Sequence, residues 1–181
     1  MPDNRKKLLR TWVREEKRRH PYNECSDLSK AICEKVCANT MIMKANRILA
    51  FYPLADEVDI TGIYETLWKQ GKKLFLPRTM GDDLKICAFT SEEDMVVGMY
   101  GIKEPKGESL EEETINTIDL ALVPGMAFDG NMHRLGRGKG YYDKFLNKYH
   151  DIYKIGVAYP FQIVDEVPSE KHDILMDEVI S

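Results

Sequence analysis

The sequence predicts one α/β domain: a mainly parallel sheet with helices on both faces, a Rossmann-like three-layer arrangement spanning 1–181. Three observations carry this. Short apolar runs at 47–52, 73–76 and 119–123 look like buried strands, and each is followed at once by a proline, Pro53, Pro77 or Pro124. Helical patterns separate these runs, and strands alternating with helices imply parallel pairing. The length of 181 residues suits a single domain and allows a sizeable core.

The elements follow in order. Residues 4–19 read as a helix that Asp3 can cap, with Leu8, Leu9, Trp12 and Val13 as an apolar stripe. Lys6, Arg10 and Arg14 recur every four residues on a neighbouring face, which is either solvated or borders an anion. After Pro21, residues 24–40 form a second helical pattern with Leu28, Ala31, Ile32 and Val36. The strand 47–52 follows. Asp59 can cap a helix over 60–69, with Ile60, Ile63, Leu67 and Trp68 inward and Gly71 at its end. Strands are expected at 73–76 and 84–89. The polar stretch 91–117 reads as a long excursion with little regular structure. A buried strand at 119–123 closes on Pro124-Gly125. A Gly-rich loop then runs into a helix over 139–149, and strands at 153–158 and 178–180 complete the sheet.

Composition narrows the class. The chain is 43% hydrophobic and 31% charged, the balance of a soluble globular protein. No apolar run approaches the roughly 18 residues of a membrane span. The N-terminus is charged from Asp3 onward and has no signal-peptide core, so a cytoplasmic address is expected. Cys25, Cys33, Cys37 and Cys87 form no C-x-x-C pair and have no histidine at zinc-ligand spacing. They read as small, half-buried thiols. The net charge of −4 argues against wholesale nucleic-acid binding, despite Arg5, Lys6, Lys7, Arg10, Arg14, Lys17, Arg18 and Arg19 at one end.

The richest segment is Asn131-Met-His-Arg-Leu-Gly-Arg-Gly-Lys-Gly-Tyr-Tyr-Asp143. Gly136, Gly138 and Gly140 let the backbone approach a ligand closely. Arg134, Arg137 and Lys139 add positive charge, and Asp143 offers a hard oxygen ligand. The set suits a polyphosphate with its metal; a solvated Gly-rich turn is the plain alternative. A P-loop is excluded, because His133 stands where its first glycine belongs and Gly140 where Ser or Thr must follow Lys139. The dinucleotide fingerprint also fails, at Tyr141. Phe51-Tyr-Pro, Leu76-Pro-Arg and Val123-Pro-Gly all lie just past strand C-termini, the rim where parallel sheets bind ligands.

These segments closely resemble the 5-formyltetrahydrofolate cyclo-ligase family, also called methenyltetrahydrofolate synthetases. The resemblance spans nearly the whole chain. It runs from Lys6-Lys-Leu-Leu-Arg10 through Phe51-Tyr-Pro-Leu-Ala-Asp-Glu-Val-Asp59, Leu76-Pro-Arg78, Gly101-Ile-Lys-Glu-Pro105 and Val123-Pro-Gly-Met-Ala-Phe-Asp129. Its most specific piece is Arg134-Leu-Gly-Arg-Gly-Lys-Gly-Tyr-Tyr-Asp143, and it closes on His172-Asp173 and Met176-Asp-Glu-Val179.

The resemblance implies ATP-dependent closure of 5-formyltetrahydrofolate to the 5,10-methenyl form, with Mg²⁺ and release of ADP and phosphate. Carried over, Arg134, Leu135, Gly136, Arg137, Gly138, Lys139, Gly140, Tyr141 and Tyr142 would wrap the ATP phosphates. Arg137 would be the catalytic cation, and Lys6 and Arg10 would reach the nucleotide. Asp143 and Asp177 would hold Mg²⁺, and Tyr52 and Glu57 would contact the folate. Lys139 either adds a phosphate contact or points to solvent, and one of Tyr141 and Tyr142 is expected to pack in the core. His133 and His172 are expected in structural or surface roles. A monomer is the family's usual form. An ATP-using ligase or kinase with another substrate, and a non-catalytic binder of RNA or an acidic partner through the basic helix, are the competing readings.

Overall fold

The computed structural model describes residues 4–98, 101–170 and 173–181. The expected Asp3 cap and His172 lie outside these. Six strands form the main sheet: β1 (Arg47–Leu49), β2 (Lys73–Met80), β3 (Asp83–Phe89), β6 (Leu120–Pro124), β9 (Tyr153–Val157) and β11 (Glu178–Ile180). Their order is β11-β9-β6-β1-β2-β3. Every pairing is parallel except that of β2 with β3, so the sheet is mainly parallel as the alternation of elements predicts.

Successive strand residues point to opposite faces. Ile48, Leu120, Leu122, Ile155 and Val157 enter one core, packed with Ile32 and Val36 of α2 (Tyr22–Ala38) and Leu67 of α4 (Tyr64–Lys69). Leu49, Ala121 and Val123 enter the other, packed with Phe145 and Leu146 of α6 (Tyr141–Lys148). Burial on both sides is why these runs are apolar without alternation. Among the described residues no helix is long and apolar enough to cross a membrane.

The boundaries differ from expectation in instructive ways. The second helix breaks at Asn39, whose side chain caps α3 (Thr40–Lys44) by accepting from the Met41 and Ile42 amides at 2.9 and 3.2 Å. Asp59 stands one residue before the cap position, Ile60, of a 3₁₀ turn at Thr61–Ile63 that leads into α4, and its carboxylate accepts from the Thr61 amide at 3.0 Å. Strand β2 runs on through Pro77 because β1 has ended: Leu49 pairs with Phe75, and beyond it only β3 remains alongside. The proline's missing donor therefore breaks no ladder.

Two corrections are larger. The stretch 91–117 is structured: β4 (Met95–Val97) and β5 (Lys103–Pro105) form an antiparallel hairpin, and α5 (Glu112–Ile115) follows. Arg78 holds the hairpin's far end, donating to the carbonyls of Pro105, Lys106 and Gly107 at 3.3, 3.4 and 3.0 Å. In α1 (Asn4–Arg19) only part of the apolar stripe is inward: Val13 is buried, while Leu8 and Trp12 stay 62% and 44% exposed. Val13 joins Met126, Ala127 and Leu135 in a small third cluster. That cluster lies on a separate sheet of β7 (Ala127–Asp129), β8 (Arg134–Leu135) and β10 (Ile163–Val164). So α1 is pinned beside the Gly-rich loop.

Glycine is required at two points for close approach. A Cβ on Gly125 would lie 2.6 Å from Phe128 Cζ, and one on Gly156 would lie 2.5 Å from Phe128 Cε1. The Phe128 ring fills the space both leave.

Candidate active site

A cavity of about 460 Å³ opens at the C-terminal ends of β1, β2 and β6. The segment after β1, the end of β2, the β4–β5 hairpin, the Gly-rich loop and the first turn of α6 enclose it. The three rim segments named from sequence therefore meet in one place. Tyr52, Glu57, Arg134, Gly136, Arg137, Lys139, Gly140, Tyr141, Tyr142 and Asp143 all line it.

The loop is braced from within. Arg134 is buried; its Nη1 donates to the Pro124 carbonyl and its Nη2 to Asp143 Oδ1, both at 3.1 Å. The guanidinium lies 5.5 Å from the Tyr142 ring centre. Gly138 and Gly140 adopt φ of +107° and +70°, which a side chain would strain, and Gly140 leads directly into α6. The α6 N-terminus thus begins at the cavity, where its dipole favours an anion. Leu135 turns its side chain into the third cluster, leaving only its backbone for a ligand. Tyr142 packs against the core, and burial pushes its hydroxyl well above the usual range. Tyr141 donates to the Gly81 carbonyl at 3.2 Å.

Helix α1 supplies a second charged wall. Arg10 Nε donates to the Gly136 carbonyl at 2.8 Å, and Arg14, one turn on, lines the cavity. Lys6 is turned elsewhere: its ammonium pairs with Glu170 at 2.8 Å and Asp173 at 2.6 Å.

Arg137 bridges two segments far apart in sequence. Its Nη2 meets Asp56 Oδ1 at 2.6 Å, and its Nε and Nη2 reach Glu57 Oε1 at 3.1 and 3.0 Å. The other Glu57 oxygen accepts the Leu54 amide at 3.0 Å. Behind them the buried Lys17 donates to the Asp56 carbonyl at 2.6 Å and its carboxylate at 3.2 Å. Burial pushes the Asp56 carboxyl up, but Lys17 and Arg137 outweigh it and hold it below the ordinary range. Tyr52 donates to Glu92 at 3.1 Å, and Lys103 lies 5.4 Å from its ring centre.

Asp177 departs from expectation. It sits beside Lys154, accepting that residue's amide at 2.7 Å and pairing with its ammonium at 3.0 Å. Pro124 and Val157 pair at the cavity end of the β6–β9 ladder, three residues beyond Lys154. At about 3.3 Å per residue, Asp177 is roughly 10 Å below the rim. The structure does not bring it to Asp143. Among the described residues no three His, Cys, Asp or Glu side chains gather as a metal cage.

Sequence reasoning missed Lys17, Asp56 and Arg14 as members of the site. Asp56 lies inside the Phe51–Asp59 motif, and Arg14 continues the every-fourth-residue face of Lys6 and Arg10, so both had a signal; Lys17 had none beyond its charge. His133 pairs with Asp129 at 3.1 Å and braces the turn before the loop. The four cysteines are free, and burial pushes Cys33 up to about 11, which makes it a poor nucleophile.

Comparisons with known proteins follow the same line. The 5-formyltetrahydrofolate cyclo-ligase family pattern matches residues 2–181. The chain is 31% identical to 5-formyltetrahydrofolate cyclo-ligase of Mus musculus, over 97% of this chain and 92% of that protein. It is 24% identical to the Escherichia coli K12 cyclo-ligase, over 93% and 96%. The solved structure of Aquifex aeolicus 5,10-methenyltetrahydrofolate synthetase superposes with a TM-score of 0.84 at 32% identity, over 97% of this chain and 88% of that one. The Mycoplasma pneumoniae synthetase gives 0.77 at 25% identity, over 97% of both.

Proposed function

The chain belongs to the 5-formyltetrahydrofolate cyclo-ligase family, and from that premise we propose that it closes 5-formyltetrahydrofolate to 5,10-methenyltetrahydrofolate at the expense of ATP. One observation carries the reading: the Gly-rich loop, with its cations and Asp143, shares a single cavity with the apolar and carboxylate wall of Phe51, Tyr52 and Glu57.

The chemistry explains why the two halves must meet. A formyl group on N5 is amide-like, so its oxygen leaves poorly. Transfer of the γ-phosphoryl group to that oxygen makes a P–O bond, breaks the bond to ADP, and turns the oxygen into a leaving group. N10 then forms its bond to the activated carbon and loses its proton. The C–O bond breaks and inorganic phosphate departs. The protein's part is positioning and charge stabilisation. The glycines and the start of α6 cradle the phosphates, Lys139 faces them, and Arg10 and Arg14 close the far side. Lys6 would join only by leaving Glu170 and Asp173.

Arg137 rests on Asp56 and Glu57, within the cavity wall. In this reading it exchanges those carboxylates for the transferring phosphoryl group, where its charge lowers the barrier. Asp143 fits Mg²⁺, which characteristically takes one or two carboxylates plus substrate phosphates rather than a protein cage. The ion would neutralise phosphate charge there. Tyr52 and Glu57 border the folate, and the apolar walls exclude water from the activated formyl carbon.

Purified protein with Mg-ATP and 5-formyltetrahydrofolate should develop the absorbance of the conjugated methenyl bridge and release ADP in equal amount. Absence of both with authentic substrate would sink the reading.

A further inference from the structure

We infer that Glu104 is the carboxylate that reads the pterin's amide edge, the 2-amino group and N3–H. The inference rests on the folate reading above and adds a specificity-determining residue to it.

Glu104 lies on β5 and is only 5% exposed, yet it lines the cavity. Its Oε1 accepts the Thr79 amide at 2.9 Å. No described residue donates to Oε2. The only sealed, unpartnered side-chain polar atoms among the described residues are Arg47 Nε and Arg134 Nε, so Oε2 is open to solvent, on a residue that lines the cavity. A buried carboxylate with one oxygen fixed and the other free is a site awaiting a donor, because an unmet buried charge is costly.

Its placement is built. The carboxylate lies flat against Gly98, where an added Cβ would collide with Oε2 and Cδ. Arg78 anchors the chain just beyond it through three carbonyls. Glu57 has both oxygens met in this structure, one by the Leu54 amide and the other by Arg137, and frees the second only when Arg137 moves to the phosphoryl group. Asp143 also has one oxygen engaged, by Arg134, but it lies at the Gly-rich loop on the phosphate side, so Glu104 is the carboxylate with a free acceptor on the hairpin side.

The surroundings select the ligand. Phe51, Pro77, Leu84 and Ile102 offer apolar walls suited to a flat heterocycle. A pterin presents two adjacent N–H donors, which the free Oε2 and the second lone pair of Oε1 can accept. Adenine presents a donor beside the acceptor N1, which a carboxylate repels. Glu104 therefore admits the folate and discourages the nucleotide base from the same slot.

The test pairs a variant with a substrate that lacks one of the two donors. Glu104→Gln keeps a carbonyl for the Thr79 amide but sets an NH₂ against the pterin donors. The KM for 5-formyltetrahydrofolate should rise about 30-fold or more, the scale for unpaired buried polar groups, with the KM for ATP within about twofold. With 2-desamino-5-formyltetrahydrofolate, which keeps N3–H but lacks the 2-amino group, the variant's loss should be smaller by about threefold or more. Gly98→Ala, which keeps Glu104 but displaces its carboxylate, should reproduce the folate KM effect. Equal losses with both substrates, a fall in kcat alone, or an unimpaired Glu104→Gln would overturn the assignment. Wild-type protein inert with the parent substrate would overturn the folate reading and this one with it.

Discussion

At the scale of single residues, the decisive contact is between Arg137 and the Asp56–Glu57 pair. In the function proposed, Arg137 offsets charge on the transferring phosphoryl group, so Arg137→Ala should lower kcat about 10²-fold or more. Steady-state kinetics in both substrates check this; a change confined to KM would make Arg137 a ground-state contact. In the same proposal Asp143 meets Mg²⁺. Asp143→Asn should raise the Mg²⁺ concentration needed for half-maximal rate about tenfold or more, read from a magnesium titration at saturating ATP. The loop's residue types alone left a phosphate site and a solvated turn both open; its place after a strand and its company along the chain favoured the first. The partners of Arg137 were not legible, since they lie some 80 positions away and only folding joins them. Asp177 misled for a related reason: a carboxylate in a short motif looks the same whether it takes a cation or a neighbouring amide.

Elements hold these residues through their ends and turns. The turn between β7 and β8 is the clearest case. Asp129 is fully buried and accepts the amides of Asn131, His133 and Val167 at 2.9, 3.0 and 2.8 Å. Burial pushes its carboxyl up, but those amides and the His133 ring outweigh it and hold it below the model-compound value of 3.8. A depressed folded-state value contributes stability above the unfolded value and loses it as pH falls through the folded one. Asp129→Asn should therefore cost about 1–3 kcal/mol at neutral pH, the scale of unmet buried donors. Its deficit against wild type should shrink below pH 3.8. Urea denaturation of both proteins at pH 7 and pH 3 checks the sign. Helices and buried strands were readable from periodicity. The β4–β5 hairpin was not: Val96 and Val97 are exposed, Pro105 interrupts the pattern, and the pairing depends on Arg78 from another strand. Nor was the outward turn of Leu8 and Trp12, since only tertiary contact decides which part of an apolar stripe is covered.

For the molecule as a whole, the alternation of strands and helices was enough to place the rim, and the rim was enough to place the cavity. What alternation could not give was depth. Asp177 and Asp143 both adjoin the sheet, yet one is well below the rim and the other at it, and only strand register separates them. The same sheet holds a constraint on how the chain can change over generations. Gly156 lies on β9 and Gly125 just past the end of its neighbour β6, and both face the ring of Phe128. Enlarging either glycine alone meets the ring, and shrinking the ring alone leaves a void under the strand that feeds the loop. Each single change among the three should lower stability, so a tolerated change at one of them should call for a compensating change at another.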